Sequence, residues 1–185
     1  LSLGVATRGG VFFKLIKSTD TRPTQASQVF TTVQDNQTVV RIQVYQGERE
    51  IAVENELLGQ FELSGIAPAP MGVPQIEVLF DINVKNELAV VARDTLTGNF
   101  QEVHFVASQI QLDRDKVKEA VGSAKKARRA DSEQKTLIEA KNTAENIIYE
   151  VQKKLAASSS TGLLDEDIAF LRRAIGMNEP PSSLM

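Results

Sequence analysis

Gln28-Val29-Phe30-Thr31-Thr32-Val33-Gln34-Asp35-Asn36-Gln37-Thr38-Val39-Val40-Arg41-Ile42-Gln43-Val44 is the stretch whose reading decides the fold. In its second arm Val40, Ile42 and Val44 alternate with Arg41 and Gln43, the period of two that a half-buried strand requires. Between the arms, Gln34-Asp35-Asn36-Gln37 supplies a polar turn, because Asp and Asn bond their own backbone and tolerate a left-handed conformation. The stretch therefore reads as a β-hairpin that the rest of the chain supports or covers.

Outward from it the same pattern recurs. Val11 to Ile16 follows Gly9-Gly10 as a strand, and Gly59 to Leu63 is short and alternating. Ile76, Val78, Phe80 and Ile82 share one strand face, with Glu77, Asp81 and Asn83 on the other. Leu88 to Arg93 pairs with that strand across Lys85-Asn86, where Asn takes the positive φ of a tight turn. Gln101 to Ala107 follows a Thr97-Gly98-Asn99 turn and points Val103 and Phe105 inward. Pro68, Pro70 and Pro74 fall in a connection, where a missing N–H breaks no ladder. Short adjacent strands with no helix between them predict an antiparallel β-sandwich.

Composition changes near Ile110. Eight of the eleven glycines precede residue 100, whereas Asp113 to Ala157 has no proline and one glycine, Gly122, so strands and turns give way to helix. The expected fold class is α+β, a sandwich over residues 1–110 followed by a helical part over 111–185. Asp113 caps the first helix in this reading, Gly122 breaks or kinks it, and Leu137, Ala140, Ala144, Ile148, Val151 and Leu155 form a thin apolar stripe. Ala156 to Gly162 reads as a linker, Asp165 as the cap of a final helix with Ile168, Leu171 and Ile175 inward, and Asn178 to Met185 as a loose tail.

Bulk properties exclude several function classes. A hydrophobic content of 42% is enough for a real core, and a net charge of −3 gives no basic surface for nucleic acid. The absence of cysteine removes disulfides and thiolate zinc sites and agrees with a reducing, intracellular compartment. No apolar run approaches the roughly 18–20 residues that cross a bilayer, so no membrane partner is expected. A start at Leu1 with no signal-like segment reads as a fragment of a longer protein. The lone His104 sits in a strand pattern and reads as structural, and the glycine-rich Gly4 to Gly10 lacks the Lys-Ser/Thr of a phosphate loop. Ser123-Ala124-Lys125-Lys126 has no acyl-transfer partner motif, and Lys125, Lys126, Arg128 and Arg129 read as a solvated helix face. Nothing resembles an active site or a metal centre, and a binding or scaffold module is expected.

The order of residues adds to this. Leu1-Ser2-Leu3-Gly4, Gly9-Gly10-Val11, Ser27-Gln28-Val29-Phe30, Asp35-Asn36-Gln37, Gln46-Gly47-Glu48-Arg49, Leu58-Gly59-Gln60-Phe61, Pro68-Ala69-Pro70 and Gly72-Val73-Pro74-Gln75-Ile76-Glu77-Val78 closely resemble the substrate-binding domain of the heat shock protein 70 chaperones. The likeness is dense over residues 1–82, weaker to 107, and a matter of pattern in the helices; Gly9 to Ile16 looks most like bacterial or mitochondrial members.

The resemblance implies a sandwich that grips extended apolar peptides of unfolded proteins, and a helical lid that closes over them. It also implies an N-terminal ATPase domain in the full-length family, with ATP and magnesium as cofactors and with J-domain co-chaperones and nucleotide exchange factors as partners. This chain carries no such domain and is expected to bind without cofactor or catalysis, in a bacterial cytoplasm or an organellar matrix. By the same resemblance Val5, Phe30, Val40, Ile42 and Ile76 line a central pocket with Val11 nearby. Thr7, Thr31, Thr32, Val33 and Gln37 lie along the peptide backbone. Burying one Leu side chain contributes about 1.5–3 kcal/mol whereas micromolar affinity needs about 8, so main-chain hydrogen bonds supply much of the rest.

Departures from the family pattern are also visible. Arg8 and Val33 hold the positions that form an arch over the peptide, and Arg8 replaces an apolar residue. Of two lid latches, Asp35 is retained with Tyr149 opposite, whereas Met71 stands where an arginine is usual and leaves Glu145 without its ion-pair partner. A looser lid and faster peptide release are the expectation. A different class of reading is a non-chaperone interaction scaffold with a vestigial groove and a helical docking arm. Self-association is a further expectation, since Ser183-Leu184-Met185 offers a Leu to a neighbour's groove.

Overall fold

In the computed structural model, which describes residues 1–110 and 114–157, both arms of the opening stretch are strands, but they lie in different sheets. The elements in order are β1 (Ser2–Ala6), β2 (Phe12–Ile16), β3 (Thr24–Thr31), β4 (Val39–Gly47), β5 (Glu56–Ser64), β6 (Gln75–Ile82), β7 (Leu88–Asp94), β8 (Phe100–Phe105), α1 (Ala107–Ile110) and α2 (Arg114–Ala157). One sheet runs β2-β1-β4-β5 and the other β3-β6-β7-β8, every pair antiparallel. The hairpin expectation is therefore corrected. The segment 32–38 carries the chain from one layer to the other, because both arms supply apolar side chains to the same core from opposite sides. Its polar groups bond outside a simple turn: Asn36 N donates to the Ala69 carbonyl at 2.8 Å, and Val33 N to Gln37 Oε1 at 2.9 Å. Asn36 is left-handed at φ 56°, as an Asn in this turn can be.

The core lies between the sheets. Leu3, Val5, Ile16, Val40, Ile42 and Val44 meet Ile76, Val78, Phe80, Ile82, Leu88 and Val90, all below 2% exposure. Fully burying each such side chain is worth about 1.5–3 kcal/mol, which is why the alternation dictates the layers. The expected β6–β7 hairpin is present, with Phe80 opposite Val90 and Ile82 opposite Leu88 inside, and Glu77 paired with Arg93 at 2.6 Å outside. Asn86 takes φ 61° in its turn, and Asn83 Oδ1 accepts from Lys85 N at 2.8 Å.

The change near Ile110 is a structural seam. Ile110 is buried in the core, and Gln46 Nε2 of β4 donates to its carbonyl at 2.9 Å. Beyond it α2 runs unbroken for 44 residues, about 66 Å at 1.5 Å per residue. The expected break at Gly122 does not occur. An interior glycine costs only about 1 kcal/mol relative to alanine, and the strong helix formers around it carry the helix through. Lys125, Lys126, Arg128 and Arg129 are exposed as expected. The Asp113 cap, the final helix from Asp165 and the tail with Leu184 lie outside the described residues.

Candidate functional site

Two loops of the sandwich rise towards α2. The β1–β2 loop carries Thr7, Arg8 and Gly9, and the β3–β4 connection carries Thr32, Val33 and Asp35. Between these lips and the helix lies a cavity of about 710 Å³. Thr7, Arg8, Val29, Phe30, Thr31, Thr32, Val33, Met71, Gly72 and Gln75 form its floor and walls, and Asn142, Asn146, Tyr149 and Glu150 its roof. Phe30 meets the Phe13 ring edge-on, with centroids 5.6 Å apart, which fixes the plane it offers to the cavity.

The residues named from sequence divide into two groups. Thr7, Arg8, Phe30, Thr31, Thr32 and Val33 line the cavity together, and so do Met71 and Tyr149. Val5, Val40, Ile42 and Ile76 do not; they are sealed in the core at 0–1% exposure, beneath the cavity floor. Val11 is buried too, bridged to Ile51. Gln37 spends its amide on its own loop, accepting from Val33 N and donating to the Val39 carbonyl at 2.9 Å. Thr31 Oγ1 donates to the Pro74 carbonyl at 2.7 Å, whereas the buried Thr32 Oγ1 has no hydrogen-bond partner among the described residues.

The helix meets the sandwich through one polar stripe. Asp131, Lys135, Ile138, Asn142, Glu145 and Tyr149 follow one another at intervals of four and three, which places them on one helical face. The apolar stripe expected from periodicity lies on another face, where Leu137 is 57% and Val151 41% exposed while Ile148 is buried at 7%.

Both latch positions are occupied, one of them by an unexpected partner. Tyr149 Oη donates to Asp35 Oδ1 at 2.6 Å, and Met71 N donates to the same oxygen at 2.8 Å. The tyrosine hydrogen bond first, then that from Met71 N, holds the Asp35 carboxyl below its ordinary pKa. The mirror effect raises the Tyr149 phenol. Glu145 is not left unpaired, and that expectation is corrected. Arg8 Nη2 bonds Glu145 Oε2, Arg8 Nη1 donates to Asn146 Oδ1 at 2.7 Å, and Asn142 Nδ2 donates to the Arg8 carbonyl at 3.0 Å. Arg8 thus supplies Glu145 with an ion-pair partner from the β1–β2 loop. Both loops therefore reach α2, the β1–β2 loop through Arg8 and the β3–β4 connection through Asp35.

Sequence reasoning missed a third attachment. Arg49 Nε and Nη2 grip Asp131 at 2.6 and 2.8 Å, and Lys135 Nζ reaches Glu50 Oε2 at 2.7 Å. The Arg49 hydrogen bonds hold the Asp131 carboxyl below its ordinary range, and Glu50 raises the Lys135 pKa by its hydrogen bond. Asn55 Oδ1 accepts from Arg49 N at 2.9 Å, and Asn55 Nδ2 donates to the Arg49 carbonyl at 3.0 Å, which fixes that loop. The sevenfold spacing of Asp131, Ile138 and Glu145, and of Lys135, Asn142 and Tyr149, is the signal that could have revealed this face. Gly9 sits under it with φ +83°, where an added Cβ would come within 2.3 Å of Ile138 Cγ2.

The sequence model of the Hsp70 protein family matches residues 1–175 of the chain.

Proposed function

The chain belongs to the Hsp70 family, with the chaperone function that membership carries, and on that premise we propose that residues 1–157 form a peptide-gripping unit. Its sandwich and lid hold an extended apolar stretch of an unfolded polypeptide. The observation that carries this reading is the cavity between the two lips and α2, open enough for a chain of side chains and floored by Val29, Phe30, Val33 and Met71. Apolar sites with a few polar groups at the rim suit an extended peptide, whose main chain seeks hydrogen bonds while its side chains fill the hollow.

The lid is the helix α2, held by Tyr149–Asp35, Glu145–Arg8 and Asp131–Arg49. Its attachments are polar, so it is built to open without exposing a large apolar surface. The deep residues Val5, Val40, Ile42 and Ile76 act through the floor in this reading, supporting Phe30, which packs against their cluster. The unit itself catalyses nothing. In this reading ATP and magnesium, J-domain co-chaperones and exchange factors act through the family's ATPase domain, in a bacterial cytoplasm or organellar matrix.

Fluorescence anisotropy of a labelled Leu-rich heptapeptide, against the same peptide with Ser in place of Leu, tests the reading. Saturable binding of the Leu peptide alone, weakened by Phe30→Ala, is expected. Equal binding of both peptides, or of neither, would overturn it.

A further inference from the structure

Arg8 both lines the cavity and holds the lid. Its side chain is 16% exposed and that of Glu145 22%, so the pair is largely shielded from water. The two lid partners of the guanidinium are unequal. Glu145 neutralises its charge, whereas Asn146 offers the oxygen of a neutral amide at 2.7 Å. A guanidinium is a planar fork with donors on more than one edge, able to serve two carboxylates at once. A bond to a carboxylate is stronger than one to an amide, so a carboxylate entering the cavity displaces Asn146 while Glu145 keeps its place. The other charged group on the cavity lining is Glu150, and Asp35 nearby is engaged by Tyr149 and Met71 N.

We infer that Arg8 determines specificity: the cavity selects extended apolar peptides that carry a Glu or Asp side chain beneath Arg8 and disfavours Lys or Arg there. The inference rests on the peptide-binding reading and names the substrate class within it. The preference is positional, because Glu150 repels an acidic side chain that comes near it instead. Arg8 thus couples what lies in the groove to what closes it, through a single guanidinium.

Three labelled heptapeptides with a Leu-Leu-Leu core, flanked on both sides by Glu, Gln or Lys, test the assignment against the unaltered chain, Arg8→Gln and Glu145→Gln. The Glu peptide is expected to bind about two- to fivefold more tightly than the Gln peptide, the scale of a partly exposed ion pair, and the Lys peptide more weakly by a similar factor. The preference collapses in Arg8→Gln and widens in Glu145→Gln, which frees the guanidinium. Equal affinity for all three peptides, or a preference that persists in Arg8→Gln, overturns the assignment while peptide binding stands. Binding of none overturns both. Should Arg8→Gln fail to fold, a preference that does not widen in Glu145→Gln is sufficient to overturn the inference.

Discussion

Arg49 grips Asp131 with two parallel hydrogen bonds, Nε to Oδ2 at 2.6 Å and Nη2 to Oδ1 at 2.8 Å, across 82 positions of sequence. The Asp131 side chain is 5% exposed, so neither charge is freely solvated. Asp131→Asn keeps the shape and removes the charge, and should weaken lid docking by about 1–3 kcal/mol, a charged hydrogen bond's worth. The chain has no cysteine, so dyes on Leu96→Cys and Leu137→Cys, both exposed, report the distance between sandwich and lid. Energy transfer should fall in Asp131→Asn and stay high in Ser132→Ala, whose exposed side chain lies just off the docking face.

The same dye pair follows pH. Contact lowers the Asp35 and Asp131 pKa values, so their contribution to docking is complete above the free carboxyl value of about 3.9 and is lost as pH falls through the lower docked values. Contact raises the Tyr149 pKa, so its contribution is complete below the free phenol value of about 10 and is lost as pH rises through the raised one. Energy transfer should hold a plateau from about pH 5 to 9 and fall at both ends. Tyr149→Phe should shrink the alkaline fall to the part that Lys135, raised by Glu50, still carries, and speed release of a bound peptide at neutral pH.

Gly9 is constrained twice, by φ +83° and by the 2.3 Å approach that a Cβ would make to Ile138 Cγ2. Gly9→Ala should cost about 1–2 kcal/mol in backbone strain and push the lid away as well. Adding Ile138→Ala removes the clash but not the strain. The double variant should regain energy transfer while its melting temperature stays low, and a temperature that recovers fully would contradict the assignment of strain.

Val40 is wholly buried opposite Leu63 and is not among the residues that line the cavity. Val40→Phe should therefore act by overpacking, destabilising the chain by about 1–3 kcal/mol in urea unfolding. If it instead leaves stability unchanged and blocks the Leu peptide, Val40 opens to the groove when a peptide binds.

Strand identity was legible wherever one face is buried, because burial imposes a period of two on neighbouring residues. Ile76 to Ile82 and Asn86 could be placed from local pattern alone. The partner of each strand was less legible. Thr24–Thr31 and Val39–Gly47 look like neighbours, yet they bond to Gln75–Ile82 and to two other strands, because pairing is decided by the shared core. Arg8 shows the limit most plainly. Its departure from the family pattern was visible, but its partner Glu145 lies 137 positions away and no local rule connects them.

By itself, then, the sequence determined the kind of structure: an antiparallel sandwich, a seam near Ile110, a long helix, and the resemblance that pointed to a chaperone. These follow from short-range propensity and alternation, which neighbouring residues carry among themselves. Only the tertiary structure decided that Val40 and Ile42 lie in the core rather than on the cavity lining, that Gln37 serves its own loop, and that Arg8 pairs with Glu145 of α2. Those outcomes depend on which distant groups share one small volume, where a charge or a hydroxyl must find its partner in three dimensions.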